Sequence, residues 1–270
     1  TAANLSTLGG KTAGTVTVTN AVAITGSVAE ATAALVTAGT KVSVSDATVT
    51  VTGTPTIAEL NDIGDATTGV VTATLAAASL SDLGSLDTAS TDVITVTVND
   101  ADDAAVTAAN LSTLGGKTAG TVTVSNAVVI SGDHDQLTAA LVTAGTKVSV
   151  SDAKVTVSDA DGVAITASEL SDIGSSTTGV VTVTNAVAIT GTAAEVTAAL
   201  VTAGSLVVVS DAAVTITGNP TITELNNIAA KTTGVVTATL AAASLSDLGA
   251  LTTSGTDDIT ITVNDADDAA

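Results

Sequence analysis

The residues best able to do chemistry in this chain are side-chain oxygens. They crowd into two copies of one octapeptide, VNDADDAA, at 98–105 and 263–270. Asn99, Asp100, Asp102 and Asp103 in the first copy, and Asn264, Asp265, Asp267 and Asp268 in the second, set several hard donors within a few residues. That is the donor chemistry calcium prefers, so these eight are the candidate Ca2+ ligands. SDADG at 158–162 is a weaker third cluster. No glycine is placed for the tight turn of an EF-hand loop, and the competing reading is a solvated acidic loop between repeats.

Two other constellations invite a chemical reading. His134, the only histidine, sits in GDHDQ between Asp133 and Asp135, as a general base or a metal ligand would. The equivalent stretch of another repeat is GSVAE, which predicts an exposed helix start without partners, and a base needs a nucleophile within reach. Thr17, Ser43, Thr72, Thr123, Ser149 and Thr182 are predicted to form an outward rank of hydroxyls, as an ice-binding surface would have. The plain alternative is that Thr suits an exposed strand.

Composition narrows the classes sharply. The chain has no Cys, Met, Phe, Tyr or Trp, and its 6 cations face 27 acids for a net charge of −21. This leaves no basic footprint for nucleic acid or an anionic membrane, and no aromatic platform for stacking bases. Disulfides, Cys-based zinc sites and thiol nucleophiles are excluded. Thr, Ser or Asp interrupts every apolar run before the ~18–20 residues that a membrane span requires. There is no Arg, no Walker loop, no HExxH and no GxSxG, and nearly every candidate group has a twin in an equivalent setting. The chain therefore reads as non-enzymatic, with no cofactor beyond Ca2+. It opens on Thr1 with neither an initiator Met nor a signal peptide, which reads as a processed product or a slice of something longer.

The elements that position these residues come from internal repetition. TAANLSTLGGKTAGTVTV at 1–18 recurs identically at 107–124, and TAALVTAGTKVSVSDA at 32–47 recurs at 138–153. Beneath these lie about ten units of 24 to 32 residues, grouped as a first superrepeat at 1–106 and a longer one at 107–270 in one continuous array. In TGTAAEVTAALVTAGSLVVVSDAAVTI, Thr192 and Glu195 have capping-box spacing and predict a short helix. Gly204 is the predicted left-handed stop, and SLVVVSDAAVTI reads as two strands split at Ser210-Asp211. All five Glu residues lie three positions after a Ser or Thr, and five of the six Lys fall past predicted helix ends, which complements the helix dipole.

Such short elements are stable only when stacked. The fold expected is mainly β: a parallel β-solenoid of about ten coils with a short helix per coil, the alternative being a leucine-rich-repeat-like α/β solenoid. Val16, Val42, Val71, Val122, Val148 and Val181 are expected to form one inward ladder.

Units such as TASELSDIGSSTTGVVTVTNAVAITGTAAEVTAAL resemble the tandem repeats of giant secreted bacterial cell-surface proteins, notably those of marine cyanobacteria, and RTX-type adhesins. The resemblance implies export, a cell-surface location and a structural role in a filament, surface layer or adhesin stalk. A calcium-binding or ice-binding module is the alternative. The nine-residue GGxGxDxUx calcium repeat of RTX proteins is absent. Residues 263–270 followed by residues 1–10 reproduce residues 98–116 with only Val106 missing, so copies of the chain are the expected partner, joined end to end.

Overall fold

The structure, a computed structural model, describes residues 1–204 and 207–265. Among these residues it is α/β, 28% helix and 25% strand, with three parallel five-stranded sheets and ten helices. In chain order the helices are α1 (Ala2–Gly9), α2 (Val28–Leu35), α3 (Ile57–Asp65), α4 (Leu80–Leu83) and α5 (Ala108–Gly115). Then come α6 (His134–Leu141), α7 (Ala167–Ser175), α8 (Ala193–Leu200), α9 (Ile222–Ala229) and α10 (Leu245–Leu248). The contacts divide the chain into two compact units that interleave in sequence: Thr1–Ala101, Ala109–Asn126 and Thr143–Val150 in one, Asp102–Ala108, Ala127–Val142 and Ser151–Ala270 in the other.

The first unit holds one sheet, built from β1 (Ala23–Ser27), β2 (Thr48–Thr52), β3 (Val71–Thr74), β4 (Val93–Val98) and β6 (Val122–Val124), in that order. The second holds two sheets. One is β12 (Val207–Val208), β10 (Val181–Val183), β8 (Lys154–Val157), β7 (Val129–Gly132) and β5 (Ala105–Thr107). The other is β15 (Asp258–Thr260), β14 (Val236–Thr239), β13 (Ala213–Thr217), β11 (Ala188–Thr192) and β9 (Ala164–Thr166). Alternation of Val or Ile with Thr puts the branched apolar side chains inside, as in β2, where Val49 and Val51 are buried and the flanking threonines exposed.

The expected mainly-β solenoid is thus corrected. Helices take as many residues as strands, because each capping box starts a helix of eight or nine residues. The strands also pair in a way that periodicity does not reveal. Val155, which follows a corner in its repeat, pairs with Ile130 on one side and with Val181, which precedes a corner, on the other. Strands of different kinds therefore share a sheet, and the ladders regroup into three. The single valine ladder fails for the same reason: Val71 pairs with Val49, and Val181 with Val155 and Val207. Five of the six valines are buried, while Val16 is half-buried.

Helix starts follow the sequence closely. Ser27, Thr56, Thr166, Thr192 and Thr221 each form a reciprocal capping box with the Glu three residues on, and Asp133 accepts the Gln136 N–H. Helix ends do not. Val36, Val142 and Val201 close α2, α6 and α8, where β-branched residues disfavour further helix, so Gly204 is not the left-handed stop. Left-handed glycines occur in turns instead, at Gly53, Gly162 and Gly218. Lys11, Lys117 and Lys231 lie just past α1, α5 and α9, but Lys41 and Lys147 lie well beyond α2 and α6.

One device recurs where successive repeats touch. Thr67, Thr177 and Thr232 donate their hydroxyls to the carbonyls of Ala47, Ala153 and Ala212 at 2.6, 2.7 and 2.6 Å. Thr118 donates to the carbonyls of Asp92 and Ile94 at 2.8 and 3.0 Å. The glycine two residues later (Gly69, Gly179, Gly234 and Gly120) returns its N–H to the same hydroxyl. A Cβ on any of these glycines would meet a backbone oxygen at 2.4 Å or less, so only glycine permits the approach.

Candidate functional site

The acidic turns are held by backbone, and their carboxylates hold backbone in return. Asp100 Oδ2 accepts the N–H of Leu80, the first residue of α4, at 2.7 Å. Asp265 does the same for Leu245 of α10, at 3.2 Å from each oxygen. The carbonyls of Asn99 and Asp100 accept from Asn126 Nδ2 at 3.4 and 2.6 Å. Asp102 Oδ1 accepts the Ala127 N–H at 3.0 Å. Asp103 lies in the left-handed region at φ 61° and pairs with Lys154 Nζ at 2.6 Å, which raises the lysine pKa through that hydrogen bond and the neighbouring charge. Asn264 donates its N–H to the Ala243 carbonyl, and Asp267 and Asp268 lie outside the described residues. Among the described residues no group of three or more His, Asp or Glu side chains is arranged to hold a metal ion.

SDADG uses the same two carboxylates for the same work. Asp161 Oδ1 accepts the Ala186 N–H at 3.0 Å, as Asp102 does for Ala127. Asp159 Oδ2 accepts the N–H of His134, the first residue of α6, at 2.8 Å. Its other oxygen lies 2.7 Å from His134 Nδ1, so a single buried carboxylate serves both the helix start and the imidazole. His134 Nε2 faces Asp135 at 3.6 Å. Burial lowers the imidazole pKa. The Asp159 hydrogen bond and charge outweigh that with help from Asp135 and Glu169, and the net shift is upward.

The expectation that His134 stands without partners is therefore wrong. The available signal was the alignment of the repeats, because Asp159 occupies the place of Asp100, and that place caps a preceding helix. Sequence reasoning also passed over Asp92. It is buried, with Oδ1 on the Val71 N–H at 2.7 Å and Oδ2 on the Ala89 N–H at 3.0 Å, and Asp257 repeats the arrangement with Val236 and Ser254.

Chemically, a His–Asp pair orients an imidazole, and catalysis would further require a nucleophile beside Nε2. The partner that faces Nε2 is another carboxylate. The capping glutamates are likewise engaged. The backbone N–H and then the hydroxyl of the capping residue lower the pKa of Glu30, Glu59, Glu195 and Glu224, and at Glu169 the Thr166 hydroxyl contributes most.

The hydroxyl rank does not run unbroken. Thr17 lies beside Ser43 and Thr123 beside Ser149, but Thr72 sits between Thr50 and Val93, and Thr182 between Thr156 and Val208. Val93 and Val208 are exposed and interrupt it. A cavity of ≈ 280 Å³ beside α4 has apolar walls from Leu80, Leu83 and Leu114. Its one cation, Lys117, is spent on the carbonyls of Leu86 and Gly84.

No protein family matches this chain, and neither the curated proteins nor the solved structures give a significant match. Among the described residues no helix is long and apolar enough to cross a membrane.

Proposed function

We propose that this chain is a structural repeat segment of an extracellular filament, surface layer or adhesin stalk, similar in kind to the repeat regions of giant secreted bacterial surface proteins, and that it is not an enzyme. The observation that carries this reading is where the polar side chains go. Asp100, Asp102, Asp159 and Asp161, the groups best suited to ligand chemistry, are each occupied with a backbone N–H of a neighbouring repeat. Side chains used this way align repeats and leave little for a substrate. The absence of thiols and aromatics, and the charge of −21, suit a surface that stays soluble in an oxidising, salty medium.

The test is location. Antibody raised against the chain should decorate intact cells of the source organism, and external protease should remove the label. Labelling that appears only after permeabilisation would overturn the proposal.

A further inference from the structure

α2 and α6 run into the same segment, TAALVTAGTKVSVSDA, at 32–47 and 138–153, but they begin differently. α2 begins SVAEA, and its cap is local. The Ser27 hydroxyl accepts the Glu30 N–H, and the Glu30 carboxylate accepts the Ser27 N–H at 2.8 Å. α6 begins DHDQL. Asp133 accepts the Gln136 N–H at 2.8 Å, but among the described residues no bond returns to the Asp133 N–H. A carboxylate of the following repeat completes this start: Asp159 accepts the His134 N–H at 2.8 Å and meets the ring at Nδ1, 2.7 Å away. The turns in the same place after β2 and β13 are Gly53-Thr54-Pro55 and Gly218-Asn219-Pro220, which carry no carboxylate.

Three carboxylates face this one ring. Asp159, itself buried, comes from the 158–162 turn, Asp135 from α6 with its oxygen 3.6 Å from Nε2, and Glu169 from the capping box of α7. Among the described residues no lysine pairs with any of them. The imidazolium is thus the counter-charge that all three share. Protonated, the ring has a donor on each nitrogen; neutral, it keeps one and serves one carboxylate. Loss of the proton leaves three like charges about an uncharged ring, one of them at a buried site where repulsion is least screened. Burial works against charging the ring. The hydrogen bond and charge of Asp159 outweigh it, with Asp135 and Glu169 adding to them, and the imidazole pKa stands above its ordinary value.

We propose that the start of α6 is a proton-operated latch: the imidazolium of His134 clamps it to the 158–162 turn and to the start of α7, and loss of the proton loosens it while α2 stays capped. The latch is fully closed below the unfolded histidine value of about 6.5 and opens as pH rises through the folded value. α2 does not follow, because the Ser27 N–H and hydroxyl hold Glu30 below the usual carboxylate range, far from this window. The two helices therefore trade one cap for another. A local box that is indifferent to pH near neutrality is replaced in α6 by a contact between repeats that depends on one proton. This inference goes beyond the structural reading of the chain and does not depend on it.

Two measurements on the full chain test the latch. The chain has no Phe, Tyr or Trp, so the ring C–H signals of a proton NMR spectrum belong to His134 alone. Their titration midpoint should lie above about 6.5 and should fall in Asp159→Asn. Amide hydrogen exchange gives the local readout, with His134–Leu137 measured against Val28–Ala31 in the same molecule so that base catalysis of exchange cancels. From about pH 6 to about pH 9 the ratio of the two exchange rates should rise at least about fivefold, as for loss of an ion pair at the upper end of the surface range. His134→Gln has no proton to lose in this window and should hold the ratio constant. A midpoint at or below that of an unstructured histidine, a ratio that ignores pH, or a His134→Gln chain whose ratio still moves would overturn the latch. Surface labelling of cells reads neither quantity, so the latch and the structural reading can fail separately.

Discussion

Asp100 and Asp159 stand at the same place in two acidic turns and accept the same N–H, that of the first residue of a preceding helix. Asp100 is half-buried, and the residue it caps is Leu80, whose side chain has nothing to offer its second oxygen. Asp159 is buried, and the residue it caps is His134, whose imidazole takes that oxygen. The backbone task is common to the two turns, and the side-chain task depends on the residue at the helix start. A carboxylate in a buried, doubly used position is costlier to remove than one with a single partner and access to water.

The largest effect expected from this difference is at Asp159. Asp159→Ala leaves an N–H and an imidazole without their buried acceptor and should cost about 2–3 kcal/mol. Asp100→Ala removes an ordinary helix cap and should cost about 1 kcal/mol. Urea denaturation of the two variants beside wild type measures both. Equal losses would break the comparison and make the histidine incidental.

The third position of the turn differs as well. Gly162 sits at φ 75° and Asp103 at φ 61°, so both occupy the left-handed region. Gly162→Ala should cost about 1–2 kcal/mol, the penalty for placing a Cβ there. Asp103→Gly should leave stability nearly unchanged, because relief of that penalty offsets the loss of an exposed ion pair with Lys154. Thermal melts of the two variants make the test. Strong destabilisation by Asp103→Gly would show that the ion pair matters more than its exposure implies.

These turns also mark where the sequence stops being readable. A capping box is local, with Ser27 and Glu30 three residues apart, so its pattern alone identifies the helix start. The alternation in TVTVT likewise sorts inside from outside without knowledge of its neighbours. Strand pairing is not local. Nothing within KVTV says that β8 lies between β7 and β10, and the grouping into three sheets followed from such choices. The His134–Asp159 pair spans 25 residues. It was visible only by carrying the role of one turn over to the other, and that role was itself unknown. The acidic clusters were legible as clusters, but a count of oxygens does not reveal that each carboxylate already faces an N–H.

A smaller effect should follow pH. The folded pKa of His134 is raised, so protonation favours the folded state. The stabilisation is fully present below the unfolded value of about 6.5 and disappears as pH rises through the folded value. The groups facing the ring are Asp159 from the 158–162 turn, Glu169 from α7, and Asp135 on the ring's own helix. His134→Gln should remove this part of the pH dependence and leave the acid limb, which belongs to the capping glutamates. Their lowered pKa values contribute stability above the unfolded value, lost as pH falls through the folded ones. Urea midpoints of wild type and variant between pH 5 and 8 should converge toward the alkaline end. Parallel curves across that range would remove the imidazole from the account.

The smallest effect expected is that of calcium, and the two turns make the test internal. Asp102 and Asp161 accept equivalent N–H groups at 3.0 Å, but only the first turn carries a third aspartate, Asp103, where the second has Gly162. Asn keeps an acceptor oxygen for the N–H and surrenders the charge that a hard cation needs. If alignment of the backbone is the carboxylate's task, Asp102→Asn and Asp161→Asn should have small and similar effects, unchanged between EDTA and millimolar calcium. If the first turn is a calcium site, the ion should stabilise wild type by mass action, and Asp102→Asn alone should abolish that gain. The hydrogen bonds favour the first outcome. Asp103 already has Lys154 as its counter-charge, and an ion entering there would have to displace it. A calcium-dependent rise in melting temperature that Asp102→Asn removes and Asp161→Asn keeps would reverse this assignment and give the two turns different functions.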